Sequence, residues 1–355
     1  MTSTVTNAVL ALALGLIFLS LAGQCYAGSS AALEVEFYKG KCGIFDVESI
    51  VAGLVKAKFF KGLQLRRTDC TPTASPDCKK YFPYAHAIPR LLCSVGGLAL
   101  VLSKGCDASL LLIGGSSERF APPNLSVRGH EFIDEVKDAV ESFCPGLVSC
   151  VDIIAIATRD AISLSGGGRY RVETGRRDGF NSLAENVDLP GPQIPVSESI
   201  AAFTRKGLNV TDMVYLLGGH TVGVAHCLFF QDRLYNFQNT GRPDPTMDLE
   251  LVRSLRSRCP QESTGKNIVS LDQNFLSSFI VDNSFYKQIL GKRAVLQIDQ
   301  QLALDPSTRD IVTTMASGRA SDFGNNFGEA MVKMGAIQVL AGTEGEIRKS
   351  CSFIN

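Results

Sequence analysis

Among the residues able to do chemistry in this chain of 355 residues, His220 stands out, set in Leu216-Leu217-Gly218-Gly219-His220-Thr221-Val222-Gly223. An imidazole at the end of an apolar helix, between glycines that let the backbone approach closely, suits a ligand that is flat or metallic. A single histidine is more often structural than a ligand, so the rest of the chain has to decide its role. The other reactive type is cysteine, of which there are 11, with no Cys-x-x-Cys pair of the kind that holds zinc. Disulfides are their expected use, and disulfides call for an oxidising compartment.

The elements that must position these residues are helices. Ile133, Val136, Val140 and Phe143 fall on one stripe of a helix that opens after Gly129 and stops at Pro145. Ile153 to Ser163 runs into Gly166-Gly167-Gly168, a stop signal. Thr211-Asp212 begins the helix that ends at Gly218-Gly219, and Met247 to Leu255 is closed by Cys259-Pro260. Asp305-Pro306 starts Ile311 to Met315, and Phe323 to Met334 carries apolar residues at spacings of three and four. Period-2 alternation is scarce, so an all-α fold of medium helices and long loops follows, without repeats or a Pro-rich linker. With 35 Lys+Arg against 35 Asp+Glu and a pI near 6.9, the charge balance argues against nucleic acid as the main partner.

Ala8 to Ala22 is an apolar run followed by the small residues Ala27, Gly28 and Ser29. It is shorter than the roughly 20 residues a bilayer span needs and reads as a secretory signal peptide over residues 1–27. The remainder, 28–355, is then a secreted domain with no membrane segment, and Asn124 and Asn209 head two sequons expected on its surface. Residues 60–104 differ from everything around them. They hold Arg66, Arg67, Cys70, Pro72, Pro76, Cys78, Lys79 and Lys80, then an apolar tail from Val95 to Leu102, with neither a helix pattern nor turn logic.

His220 does not stand alone. In order along the chain come Phe37-Tyr38 with Cys42, then Gly105-Cys106-Asp107-Ala108-Ser109-Leu110-Leu111-Leu112, and Cys144-Pro145-Gly146 with Ser149-Cys150-Val151-Asp152. Thr174-Gly175-Arg176-Arg177-Asp178, Leu189-Pro190-Gly191-Pro192, Asp232-Arg233-Leu234-Tyr235-Asn236-Phe237, Pro243-Asp244-Pro245-Thr246 and Gly345-Glu346-Ile347-Arg348 before Cys351 complete the series. This series resembles the secretory plant haem peroxidases, the class III family, over Glu36 to Phe59 and again from Gly105 to Asn355.

The resemblance implies an all-α haem peroxidase fold with haem b between distal and proximal helical halves. It implies reduction of hydrogen peroxide coupled to one-electron oxidations of small phenolic donors, in peroxide removal and the response to oxidative stress. It implies a monomer in the cell wall, apoplast or vacuole. His220 matches the axial ligand of haem iron, Asp299 the carboxylate that accepts a hydrogen bond from it, and Pro190 the place near the haem edge where donors sit. The family pairs Cys42 with Cys144, Cys150 with Cys351, and Cys227 with Cys259. It also implies two calcium ions held by oxygen donors. Gly105, Asp107, Ser109 and Glu118 match the distal site, whose calcium-binding is impaired here. Thr221, Asp272, Ser277 and Asp282 match the proximal one, with an interval from Asp272 to Asp282 longer than the family pattern.

The departure falls where peroxide would be cleaved. Before Gly105-Cys106-Asp107 the family carries Arg-x-x-Phe-His-Asp-Cys-Phe, whose His moves the peroxide proton and whose Arg stabilises developing charge. Here those places hold Val95, Leu98, Ala99, Leu100, Val101 and Leu102, so the distal His and Arg are absent. His130 and His226 follow later in the chain and His86 lies in the aberrant stretch. Codons exist for His86-Ala87-Ile88-Pro89-Arg90-Leu91-Leu92-Cys93 that, read one base later, give Met-Gln-Phe-His-Asp-Cys-Phe, so 60–104 reads as an out-of-frame product. Cys106 loses its family partner and joins Cys70, Cys78 and Cys93 as free to mispair. The alternatives to a peroxidase are a haem-binding pseudo-enzyme with little turnover, and a haem-free extracellular wall or structural protein.

Overall fold

The computed structural model of the chain describes residues 33–68, 105–125, 127–262 and 267–355, with side chains from 62 to 68 outside the description. The signal-peptide segment and the apolar tail Val95–Leu102 both lie outside the described residues. What is described is mostly helical. Its strands are four pieces of two or three residues each: β1 (Glu34–Val35) pairs antiparallel with β2 (Glu173–Thr174), and β3 (Val224–His226) with β4 (Ile268–Ser270). The scarcity of period-2 alternation is thereby accounted for.

Three helices build one half. α1 (Val47–Thr68) opens where the Asp46 carboxylate accepts the Ser49 backbone N–H at 3.2 Å, an N-terminal cap. Val47, Val51 and Val55 recur at every fourth residue, are buried, and form the stripe laid against α3 (Cys150–Leu164). α2 (His130–Phe143) packs on both with Phe132, Ile133, Val136 and Val140 inward. α3 is buried around most of its circumference, as a central helix must be. Arg159 on α3 joins Glu48 of α1 and its own neighbour Asp160, so the charges on this buried helix are paired. The backbone of α1 runs to Thr68, so the first residues of the 60–104 stretch are helical, contrary to the sequence reading. A helix already nucleated by the stripe at 47–55 propagates through Lys61 to Thr68 at little cost, even without a pattern of its own.

The other half holds α4 (Val196–Arg205), α5 (Val210–Leu217), α6 (Gln231–Tyr235), α7 (Leu249–Arg258), α8 (Ser284–Leu290), α9 (Gln297–Leu302), α10 (Arg309–Ser317) and α11 (Ala320–Gly335). α5 starts in a capping box, Asn209 Oδ1 accepting from the Asp212 N–H at 2.8 Å and Asp212 Oδ2 from the Asn209 N–H at 3.1 Å. Lys333 on α11 donates to Asp212 at 2.7 Å and fastens the two helices together. Phe323, Phe327, Met331 and Met334 form the inward face of α11.

The recurring acid and base residues of the sequence motifs turn out to stitch loops. Asp152, fully buried at the start of α3, accepts from Tyr38 Oη at 2.7 Å, from the backbone N–H groups of Gly175 and Arg176 at 2.6 and 3.1 Å, and from Arg176 Nη1 at 2.8 Å. Asp178 accepts from the backbone N–H groups of Cys150, Val151 and Arg348 at 3.0, 3.0 and 3.1 Å. Cys42 with Cys144, Cys150 with Cys351 and Cys227 with Cys259 are disulfides, with Cα atoms 5.4, 5.6 and 5.6 Å apart. Cys106 is buried and is the one free cysteine among the described residues; its Sγ lies 3.8 Å from the Met334 carbonyl oxygen, and burial pushes its thiol up to about 11. Among the described residues no helix is long and apolar enough to cross a membrane.

Of the two sequons, Asn209 is exposed and Asn124 is not. Asn124 closes a short turn at Pro122–Asn124 with its Nδ2 donating to the Glu118 carbonyl at 2.8 Å, so the nitrogen a glycan would need is spent inside the fold. A sequon records residue types only, and the burial of Asn124 is set by packing that no local pattern announces.

Candidate functional site

His220 sits on a tight turn, Gly218–Thr221, that continues α5 past Leu217. Glycine at 218 is required by crowding: a Cβ there would fall 2.7 Å from Phe323 Cε2 and closer still to the Tyr286 hydroxyl. Tyr286 is itself fixed, its Oη donating to the Val214 carbonyl at 3.1 Å. Packing α5 against α8 and α11 in this way delivers the imidazole to one place. Its Nδ1 lies 3.0 Å from Oδ1 and 3.1 Å from Oδ2 of Asp299, and the Phe285 ring stands edge-on at 6.1 Å.

Asp299 is in the first turn of α9, where the helix dipole favours a negative charge, and is 1% exposed. A carboxylate only accepts, so in the neutral ring Nδ1 carries the proton and the lone pair is left on Nε2. Among the described residues no hydrogen bond reaches Nε2, and the His220 side chain is 26% exposed. Burial pulls the imidazole pKa down, but the charge of Asp299 and its hydrogen bond outweigh this, and the net direction is up. An oriented imidazole with its second nitrogen open is the donor an axial metal position requires. The 79-residue separation of the two partners put this pair beyond any local reading of the sequence.

Pro190 is half-buried in the loop before α4. That loop is tethered to the Asp299 helix by the Ile298 N–H, which donates to the Pro192 carbonyl at 3.0 Å. The loop and the His220–Asp299 pair therefore belong to one neighbourhood.

Beside His220, Thr221 is fully buried, and its hydroxyl lies 3.3 Å from both the Ile280 carbonyl and Asp282 Oδ1. Asp272 is 1% exposed and accepts from the Asn274 N–H at 2.8 Å and the Ser277 hydroxyl at 3.3 Å. Burial, and secondarily the charge of Asp282, raise the Asp272 pKa. Two carboxylates close enough to repel, with the Thr221 and Ser277 hydroxyls beside them, form an oxygen donor set that suits a hard cation. The other set lies on the segment from Gly105 to Glu118. Asp107 Oδ1 accepts from the Ser109 N–H at 3.0 Å, while its backbone oxygen is taken by the Gly179 N–H at 2.8 Å. Glu118 is 1% exposed on the next turn, with its N–H donating to Ser182 Oγ at 3.0 Å. Gly105 leads into this loop at a φ of 121°, and its neighbour Cys106 hydrogen-bonds to the Ile337 carbonyl at 3.1 Å.

The positions expected to bear a distal base and arginine, 95–102, lie outside the described residues, as does His86. His130 is 9% exposed, and its buried Nε2 has no hydrogen-bond partner among the described residues; burial, then Arg119, push its pKa down to about 4. The sequence reading assigned no role to Arg233 or Asp244, a fully buried ion pair at 2.8 Å next to the entry of α9. Their signal was the recurrence of an Arg and an Asp in two adjacent motif strings.

The model of the family described as "Peroxidase" matches residues 52–318. The chain is 46% identical over 352 residues to Peroxidase 60 of Arabidopsis thaliana, covering 98% of this chain and 96% of the relative. It is 45% identical over 325 residues to Peroxidase 57 of the same plant, covering 92% and 93%. Peroxidase 44, again from Arabidopsis thaliana, is 43% identical over 337 residues, covering 93% of this chain and 96% of the relative.

Proposed function

The chain belongs to the secretory plant peroxidases, and from that premise we propose that it holds haem b through His220 and works on hydrogen peroxide and small phenolic donors outside the cell. The observation that carries this reading is the His220–Asp299 pair, with Nδ1 bound at 3.0 Å and Nε2 open. Haem, when bound, would supply the redox chemistry, a two-electron reduction of hydrogen peroxide balanced by two one-electron oxidations of the donor. His220 holds the iron side, and Asp299 keeps the ring in one tautomer and makes it a stronger donor. The loop at Pro190 offers the phenolic donor a rigid edge. Calcium at Thr221, Asp272, Ser277 and Asp282 would relieve the repulsion of Asp272 and Asp282 beside Thr221, the residue that follows His220. The set at Gly105, Asp107, Ser109 and Glu118 supports a second ion less well, because the calcium-binding Asp that the family carries in its Phe-His-Asp-Cys motif is absent from Val95–Leu102.

The run Val95–Leu102 favours a second reading, a pseudo-peroxidase that binds haem and turns over little, because it offers neither imidazole nor guanidinium where peroxide would be protonated. One experiment separates the two. Purified protein is loaded with haemin, its Soret band recorded, and peroxide added with and without a phenol. A Soret band that His220→Ala removes supports haem ligation, and rapid phenol oxidation on top of it supports the peroxidase. A Soret band with oxidation near that of free haemin supports the pseudo-enzyme. No Soret band at all overturns both.

A further inference from the structure

Asp299 can orient the imidazole only if the helix carrying it is itself held. α9 has only six residues, and the chain enters it through Ala294-Val295-Leu296. Arg233, on α6, is 0% exposed and reaches that entry from the opposite side. Its Nη1 donates to the carbonyls of Ala294 at 3.0 Å and Val295 at 2.7 Å, and its Nε donates to Asp244 Oδ2 at 2.8 Å. Asp244 is fixed in turn. Its N–H donates to the Arg233 carbonyl at 2.8 Å, and its Oδ1 accepts from the N–H and hydroxyl of Thr246 at 2.8 and 2.6 Å.

The cost of this arrangement shows that geometry is being held. Among the described residues Nη2 of Arg233 is buried without a hydrogen-bond partner, a loss that a folded chain tolerates only where the rest of the fork offsets it. A planar fork donating in two directions at once cannot be replaced by an ammonium on a flexible stem. We propose that Arg233 is a positioning residue: by pinning the Ala294 and Val295 carbonyls it fixes the first turn of α9, and with it the place of Asp299 opposite His220 Nδ1. The proposal rests on the reading of His220 as the haem ligand for its functional meaning, but the positioning itself is a property of the protein alone.

The test uses the full chain, both without haem and after loading with haemin, and compares the wild type with Arg233→Lys and with the double variant Arg233→Met/Asp244→Asn. The lysine keeps the charge and loses the fork; the double variant removes both buried charges together, leaving neither uncompensated. The first readout is solvent exchange of the His220 Nδ1 proton in histidine-labelled protein without haem, with urea unfolding as the folding control. In Arg233→Lys this proton exchanges about tenfold faster, the scale of one charge-assisted hydrogen bond weakened. In the haemin-loaded protein the iron reduction potential rises, because a less firmly held imidazole donates less. Unchanged exchange in a folded lysine variant overturns the proposal and leaves Arg233 a contributor to stability alone. Should the lysine variant not fold, the double variant decides, with faster exchange supporting the proposal and wild-type exchange refuting it. An effect in the double variant but none in a folded lysine variant assigns the role to charge and also refutes positioning. A wild type that fails to bind haemin sinks the haem reading, while the exchange measurement still decides this one.

Discussion

Replacing Asp299 by alanine probes how much of the affinity of this site for haem resides in a side chain that never touches it. The carboxylate is 1% exposed and meets Nδ1 with both oxygens, at 3.0 and 3.1 Å. A hydrogen bond to a charged group contributes about 1.5–3 kcal/mol. At about 1.4 kcal/mol per factor of ten, that is a loss of about ten- to a hundredfold in haemin affinity, the range seen when the outer partner of a metal-bound histidine is removed. Asparagine keeps the shape and a neutral acceptor, so it recovers part of the loss and leaves a deficit of about tenfold. The assay is a haemin titration followed at the Soret band, with His220→Ala as the zero and thermal unfolding of each unloaded protein as the check on folding. If Asp299→Ala binds haemin within about twofold of the wild type while His220→Ala abolishes binding, the argument from the Nδ1 bond fails.

Two further outcomes follow from buried charge. Calcium at about a hundred times its Kd stabilises the protein by about 2.7 kcal/mol, read as a rise in Tm, and Asp282→Asn, which removes one of the paired carboxylates, should abolish the rise; an equal rise in that variant would move the ion elsewhere. His130 makes the fold sensitive to acid: its folded pKa lies at about 4 against an ordinary 6.5, so between those values only the unfolded chain takes up the proton. Its contribution is therefore complete above about pH 6.5 and is lost as pH falls towards 4, by about 3 kcal/mol at 1.36 kcal/mol per unit. Arg119 and Arg128 add to the effect and Glu131 opposes it. Urea midpoints across that window should fall in the wild type and stay flatter in His130→Phe, and parallel slopes would exclude His130 as the cause.

Much of this was legible before any coordinates. Gly129, Pro145, the glycines at 166–168, Thr211-Asp212 and Gly218-Gly219 punctuate the sequence, and both ends of α2, the end of α3 and both ends of α5 fall within a few residues of those marks. Helix ends are local events, governed by caps and breakers a few residues away. The site is the opposite case. His220 and Asp299 are 79 residues apart, and only an ordered series of motifs pointed from one to the other. The same holds for Arg233, whose partners at 244 and at 294–295 lie on two separate loops. Asn124 and the helical continuation to Thr68 were misread for a related reason, since burial and propagation depend on neighbours that a residue-by-residue pattern does not contain.

The bridge between Cys150 and Cys351 imposes an order of assembly. Its partners are 201 residues apart in sequence, so at about 5–20 residues per second the ribosome delivers the second thiol about 10 to 40 s after the first. Cys42 can meet Cys144, and Cys227 can meet Cys259, well before then, across 102 and 32 residues. During that interval Cys150 waits as an open thiol, and Asp178 beneath it waits for the Arg348 N–H that arrives on the same late segment. The stitch that joins the last residues to α3 is thus the final one, and it arrives with the segment that covers Cys106, whose Sγ packs against the Met334 carbonyl.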